Sequence, residues 1–136
     1  MEIQWPLILF TFFNCLAGGI FLMQGILTLS GKGKTADYKN KSGQPWSDYK
    51  LSVKKVVVEE GVTYLGDRLF YEDRNLTEVV FPATSLTTIG EGTFRACDGL
   101  TEITLPDSLT TLKRVAFYQC INLKKVVIGT EKSQLT

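Results

Sequence analysis

Leu100-Thr101-Glu102-Ile103-Thr104-Leu105-Pro106 is the stretch that decides how this chain folds. Its apolar residues hold the first, fourth and sixth places. The same order recurs in Val53-x-x-Val56-x-Val58, Leu76-x-x-Val79-x-Phe81 and Leu123-x-x-Val126-x-Ile128. The four starts lie 23, 24 and 23 residues apart. Positions between them align as well: Val62, Leu86 and Leu109; Leu65, Ile89 and Leu112; Phe70, Phe94 and Phe117. Cys97 and Cys120 each fall three places after the phenylalanine, where the first repeat has Asp73. A fixed period of this length describes stacked coils, none of which can bury its apolar row alone.

That period and apolar order are the signature of a leucine-rich repeat. Each six-residue segment is a short strand, and the next coil lies beside it at about 4.8 Å, pairing its backbone and covering its apolar row. Pro82 and Pro106 fall just past the strands, where a residue without an amide hydrogen ends a ladder. Gly66 and Gly90 follow the Leu65/Ile89 column, and the expectation is a turn there through positive φ, with Lys113 departing from it.

The wording of the repeats resembles the BspA-type leucine-rich repeat of bacterial and protist surface proteins. Gly61-Val-Thr-Tyr-Leu-Gly-Asp-Arg-Leu-Phe, Thr88-Ile-Gly-Glu-Gly-Thr-Phe-Arg-Ala-Cys and Leu100-Thr-Glu-Ile-Thr-Leu-Pro carry the resemblance. Leu27-Thr-Leu-Ser-Gly-Lys-Gly, Asp37-Tyr38 and Gln44-Pro-Trp-Ser-Asp-Tyr fit the β-rich cap that precedes the first coil in that family. The resemblance covers about residues 27–129. Asp73 for the usual Cys, Leu69 for the usual Ala, and Lys113-Arg114 for the Gly turn depart from its pattern. It implies a cap over 27–50 and repeats over 51–136, the last incomplete. It also implies a non-enzymatic module binding protein or glycan partners at the cell surface.

The other end of the chain reads differently. Trp5 to Leu29 carries no charge, and Asn14 and Gln24 are its only strongly polar residues. A span of the hydrocarbon core takes about 20 apolar residues. Residues 1–26 are therefore expected to form a transmembrane helix or uncleaved signal-anchor, meeting the bilayer through 5–26, with the cap starting at Leu27. A cleaved signal peptide would want a basic n-region and small residues at the cleavage site; Glu2 and Thr28-Leu29-Ser30 offer neither. Glu2 to Gln24 also resembles the first helix of the membrane anchor subunit of anaerobic dimethyl sulfoxide reductases, which implies as a second reading a truncated or misjoined respiratory anchor. Lys32, Lys34, Lys39 and Lys41 after the run favour a cytoplasmic repeat domain, whereas the surface-repeat resemblance favours an extracellular one. The expectation taken is membrane attachment with the repeats outside.

Composition narrows the chemistry. The 136 residues contain 15 Lys and Arg, 14 Asp and Glu, and no histidine, for a net charge of +1. That balance gives no electrostatic reason for a nucleic-acid partner. Without histidine there is no His-based triad and no Cys/His metal site. Three cysteines, none in a CxxC pair, make neither a disulfide scaffold nor a zinc site, and Cys97 and Cys120 are expected to be a ladder of buried thiols. Glu59-Glu60 and Glu72-Asp73 sit at strand-to-turn corners, where solvated charge is expected. No catalytic, cofactor or metal set emerges.

One surface remains. Alternation along each strand points Val57, Val80, Thr104 and Val127 outward, flanked by Lys55, Glu78, Glu102 and Lys125. An array of side chains running across coils makes a broad contact, so these eight residues are the candidate binding face.

Overall fold

A computed structural model describes residues 19–129. They form ten strands and one 3₁₀ helix, arranged as a stack of coils whose strands lie in three sheets. The long strands are β2 (Ile26–Ser30), β4 (Lys55–Val58), β6 (Glu78–Val80), β8 (Glu102–Leu105) and β10 (Lys125–Ile128). The short return strands are β3 (Gly33–Lys34), β5 (Val62–Leu65), β7 (Thr88–Ile89) and β9 (Thr111–Leu112). One sheet runs from β1 (Gly19–Met23) through β2 and β4 to β6, a second pairs β8 with β10, and the third runs β3-β5-β7-β9. Every pairing between coils is parallel, as a solenoid requires: Lys55 faces Glu78, Val57 faces Val80, and Ile89 faces Leu112.

The core follows the sequence columns. Val56, Val58, Ile103 and Leu105 point inward from their strands, and Val62, Leu86, Leu109, Leu65 and Ile89 are buried beneath them. Along the coil axis runs a ladder of rings. Trp46 lies 5.7 Å from Phe70, Phe70 lies 5.2 Å from Phe94, and Phe94 lies 5.3 Å from Phe117. Such offset contacts add about 0.5–1.5 kcal/mol each beyond area burial.

The N-terminal reading needs correction. Residues 19–23, inside the expected membrane helix, form β1 (Gly19–Met23), which pairs antiparallel with β2. Ile20 and Leu22 are buried against the first coil, a strand's period of two. Gln24 and Gly25 make the two-residue turn, with φ of 51° and 81°, the positive values that tight hairpins need. No helix among the described residues is long and apolar enough to cross a membrane. A helix running on through 19–26 is thus contradicted, and residues 5–18 of the expected span lie outside the described residues. The likeness of 2–24 to a reductase anchor helix is not supported either: its last part is sheet, and its first part, residues 2–18, lies outside the described residues. β1 thus adds a strand ahead of Leu27, and the 3₁₀ helix Ser47–Ser52 precedes β4.

Gly66 and Gly90 also differ from expectation. Neither has positive φ. Their role is close approach: a Cβ on Gly66 would stand 1.9 Å from the Ala36 carbonyl oxygen, and one on Gly90 2.6 Å from Asp67 Oδ1. The left-handed positions fall instead in two other columns. Arg68, Gly92 and Val115 have φ of 56°, 63° and 51°, and Glu72, Ala96 and Gln119 have 61°, 59° and 61°. Only the middle coil supplies a glycine for this conformation, and only in the first column.

Candidate interaction surface

β4, β6, β8 and β10 carry the eight residues selected from the sequence, and the strand register sets them in two rows. Lys55, Glu78, Glu102 and Lys125 form the first; Val57, Val80, Thr104 and Val127 form the second. Glu78, Val80, Glu102, Thr104 and Lys125 are exposed, and Lys55, Val57 and Val127 are half-buried. Lys55 Nζ stands 3.6 Å from Glu78 Oε2 across the sheet, a surface pair worth little to stability. The cap extends both rows, since Ile26 faces Lys55 and Thr28 faces Val57. Neither residue belongs to the expected face, because the apolar run around Ile26 hides the coil register of the cap.

A second feature was not legible in the sequence. β6 and β8 lie side by side but share no hydrogen-bonded ladder. At that break Glu78 and Glu102 occupy equivalent places, and like charges at facing positions oppose pairing. At the far end of the same strands, where the chain turns into Pro82 and Pro106, a cleft of about 470 Å³ opens. Val80, Phe81, Thr104, Leu105 and Asp107 are among its lining residues, so it continues directly from the outward row. The surface therefore combines a flat polar and β-branched array with one largely apolar depression.

The paired carboxylates divide. Glu60 bridges coils: its carboxylate accepts hydrogen bonds from the Thr84 hydroxyl at 2.9 Å and the Ala83 amide at 2.7 Å. The Thr84 hydroxyl contributes most to holding it below the usual carboxylate range. Glu72 is lowered chiefly by Lys41, 2.8 Å away, and also by Arg74. Asp73 is a correction to the expectation of solvated charge, because it is fully buried. At the turn into β6, Asn75 donates from its side chain to the Leu51 carbonyl at 2.8 Å.

Cys97 is buried and Cys120 half-buried, both as free thiols. Cys97 Sγ donates to the Phe70 carbonyl at 3.2 Å, and Cys120 Sγ to the Phe94 carbonyl at 3.0 Å. Burial raises both thiols, Cys97 strongly, which makes them poor nucleophiles. No group of three or more His, Cys, Asp or Glu side chains is placed to hold a metal ion among the described residues.

Stacked parallel coils with an apolar column from every repeat define a leucine-rich-repeat solenoid. Residues 48–136 match the family described as BspA type Leucine rich repeat region (6 copies), and the chain belongs to that family. Among solved structures it is similar to a leucine-rich repeat protein from Eubacterium ventriosum, at 23% identity and a TM-score of 0.63. That match covers 90% of this chain but 45% of the other, so the chain spans less than half the length of that relative. Weaker likenesses are to a T. pallidum leucine-rich repeat protein and a leucine-rich cell surface protein from Faecalibacterium prausnitzii. Each has 18% identity and a TM-score of 0.46; they cover 93% and 85% of this chain, and 71% and 42% of those proteins. No curated protein matches the chain.

Proposed function

We propose that the chain is a non-enzymatic interaction module that binds a protein partner across the outward face of β4, β6, β8 and β10. The observation that carries this reading is the alignment of the two outward rows with the apolar cleft between β6 and β8. An extended protein segment can lay polar groups on Lys55, Glu78, Glu102 and Lys125 while seating one apolar side chain beside Val80 and Leu105. The cleft's volume of about 470 Å³ is ample for such an anchor. Contacts of this kind derive most of their energy from a few buried anchors. A location outside the cell is part of the proposal and rests on the resemblance to BspA-type surface proteins.

A dodecamer peptide-display library and a glycan array, each tested against the purified chain, check this reading. Selected peptides are expected to bind, to lose affinity on the double variant Val80→Asp with Thr104→Arg, and to retain it on Thr88→Arg in the β3-β5-β7-β9 sheet. Binding to glycans alone would contradict the protein-partner reading and favour the glycan alternative. Peptide binding lost on Thr88→Arg but kept on the double variant would place the contact on the wrong sheet.

A further inference from the structure

Asp73 breaks the thiol column, and the cap shows why. In the following coils the residue at this place is a donor: Cys97 and Cys120 each direct a thiol to the preceding coil's phenylalanine carbonyl. The coil before Asp73 is the cap, which brings donors of its own. Lys50 Nζ lies 3.5 Å from Asp73 Oδ1, with the Asp73 side chain 1% exposed and the Lys50 side chain 15%. The Trp46 indole N–H also lies near the carboxyl and lowers its pKa, without completing a hydrogen bond of ordinary geometry. A donor-rich cap requires an acceptor, and a carboxyl supplies one where a thiol would not.

The fit is imperfect in an informative way. Lys50 Nζ makes short hydrogen bonds to two backbone carbonyls, Lys41 at 2.6 Å and Tyr71 at 2.7 Å. Its contact with Asp73 is an ion pair rather than a normal hydrogen bond. Both Asp73 oxygens are thus desolvated without full hydrogen-bond replacement. The other groups around the carboxyl do not neutralise it. Cys97, from the next coil, is a raised and protonated thiol. Glu72 and Arg74, on Asp73's own turn, are engaged with each other, Lys41 and Asp98. Tyr49, on the Lys50 turn, is half-buried against the core.

We propose that Asp73, Lys50 and Trp46 form a proton-sensitive latch that seats the cap on the first coil, more firmly when the Asp73 carboxyl is protonated and more loosely when it ionises. Desolvation raises this carboxyl to about 7 against an ordinary value of 3.8, with Lys50 opposing. Opening the cap hydrates the group and restores the lower value, so opening releases a proton across that interval. Cap closure is therefore favoured below the lower value and loses stability as pH rises toward 7. Above 7 the dependence flattens.

Hydrogen exchange read at the Tyr49 and Val53 amides, which close the 3₁₀ turn onto Trp46 and Lys50, follows the latch in the intact chain. After correction for intrinsic exchange, protection is expected to fall at least about tenfold between pH 5 and pH 8. In Asp73→Cys, which restores the column's usual residue, it is expected to stay level. The carboxyl carbon resonance of Asp73 in the unsubstituted chain provides a second reading, and its midpoint is expected near 7. Level protection in the native chain, an undiminished slope in Asp73→Cys, or a carboxyl midpoint near 3.8 would overturn the proposal. Should the variant not fold, the two measurements on the native chain still decide.

Discussion

The Trp46 ring lies 5.7 Å from that of Phe70, tilted by 30°, and this contact makes the cap the first member of the repeat stack. Trp46 precedes Phe70 by the same 24 residues that separate Phe70 from Phe94. β2 and β3 likewise pair in parallel with β4 and β5. The cap is thus a coil with an altered sequence, closed on its outer edge by the antiparallel β1. An edge paired in this way does not offer β2's backbone to another chain.

The central ring should contribute most. Phe94 is fully buried, stacked between Phe70 and Phe117 and touched edge-on by Phe81 at 6.1 Å. Phe94→Ala is expected to destabilise the chain by about 3–5 kcal/mol. Urea denaturation measures this; a loss below about 1 kcal/mol would mean the column does not fill the coil.

Val115 is a β-branched residue at φ 51°, and its side chain is exposed, so little packing offsets the strain. Val115→Gly, which copies Gly92 in the preceding coil, is expected to stabilise by about 1 kcal/mol. A lowered denaturation midpoint would show that Val115 contributes more through contact than it costs through conformation.

The hairpin at the N-terminal edge is open to a covalent test. Phe21 and Thr28 are Cα partners, and facing residues in antiparallel strands stand about 4.5–5.5 Å apart. Seven residues along a helix would separate them by about 10.5 Å, beyond a disulfide's reach. Phe21→Cys with Thr28→Cys, in a Cys15→Ser background, is expected to form that disulfide under mild oxidation. Peptide mapping that finds both thiols free would argue for the helix after all.

Glu60 gives the acid side of the stability profile a definite sign. Its folded pKa is lowered, so its contribution is present above the ordinary value of 4.5 and is lost as pH falls through the lower folded one. Glu60→Gln is expected to flatten that acid limb while leaving stability near pH 7 only slightly changed. An unchanged acid limb in thermal melts would place the pH dependence elsewhere. The direction is opposite to that of Asp73, whose window lies above 3.8 where that of Glu60 lies below 4.5.

The sequence carried the coil period, the buried columns and the outward rows, because each rests on a pattern repeated several times at fixed spacing. Its failures have physical causes. A uniformly apolar run such as Gly19–Met23 contains no period, so strand and helix cannot be told apart by it, and only the partner strand decides. Gly66 looked like a turn residue because glycine serves both positive φ and close approach, and only coordinates separate them. Asp73 looked like a solvated corner until Lys50 and Trp46, more than twenty residues away, were seen to close over it. The β6–β8 cleft depends on a missing ladder between two strands that carry the same repeat pattern, so the pattern does not announce it.

The binding face is best tested by a footprint. With a library-selected peptide added to the isotope-labelled chain, amide shifts are expected to concentrate at Val57, Val80 and Thr104 and around the cleft at Leu105. Shifts concentrated at Tyr64, Thr88 and Thr111 on the opposite sheet would contradict the proposed interaction surface.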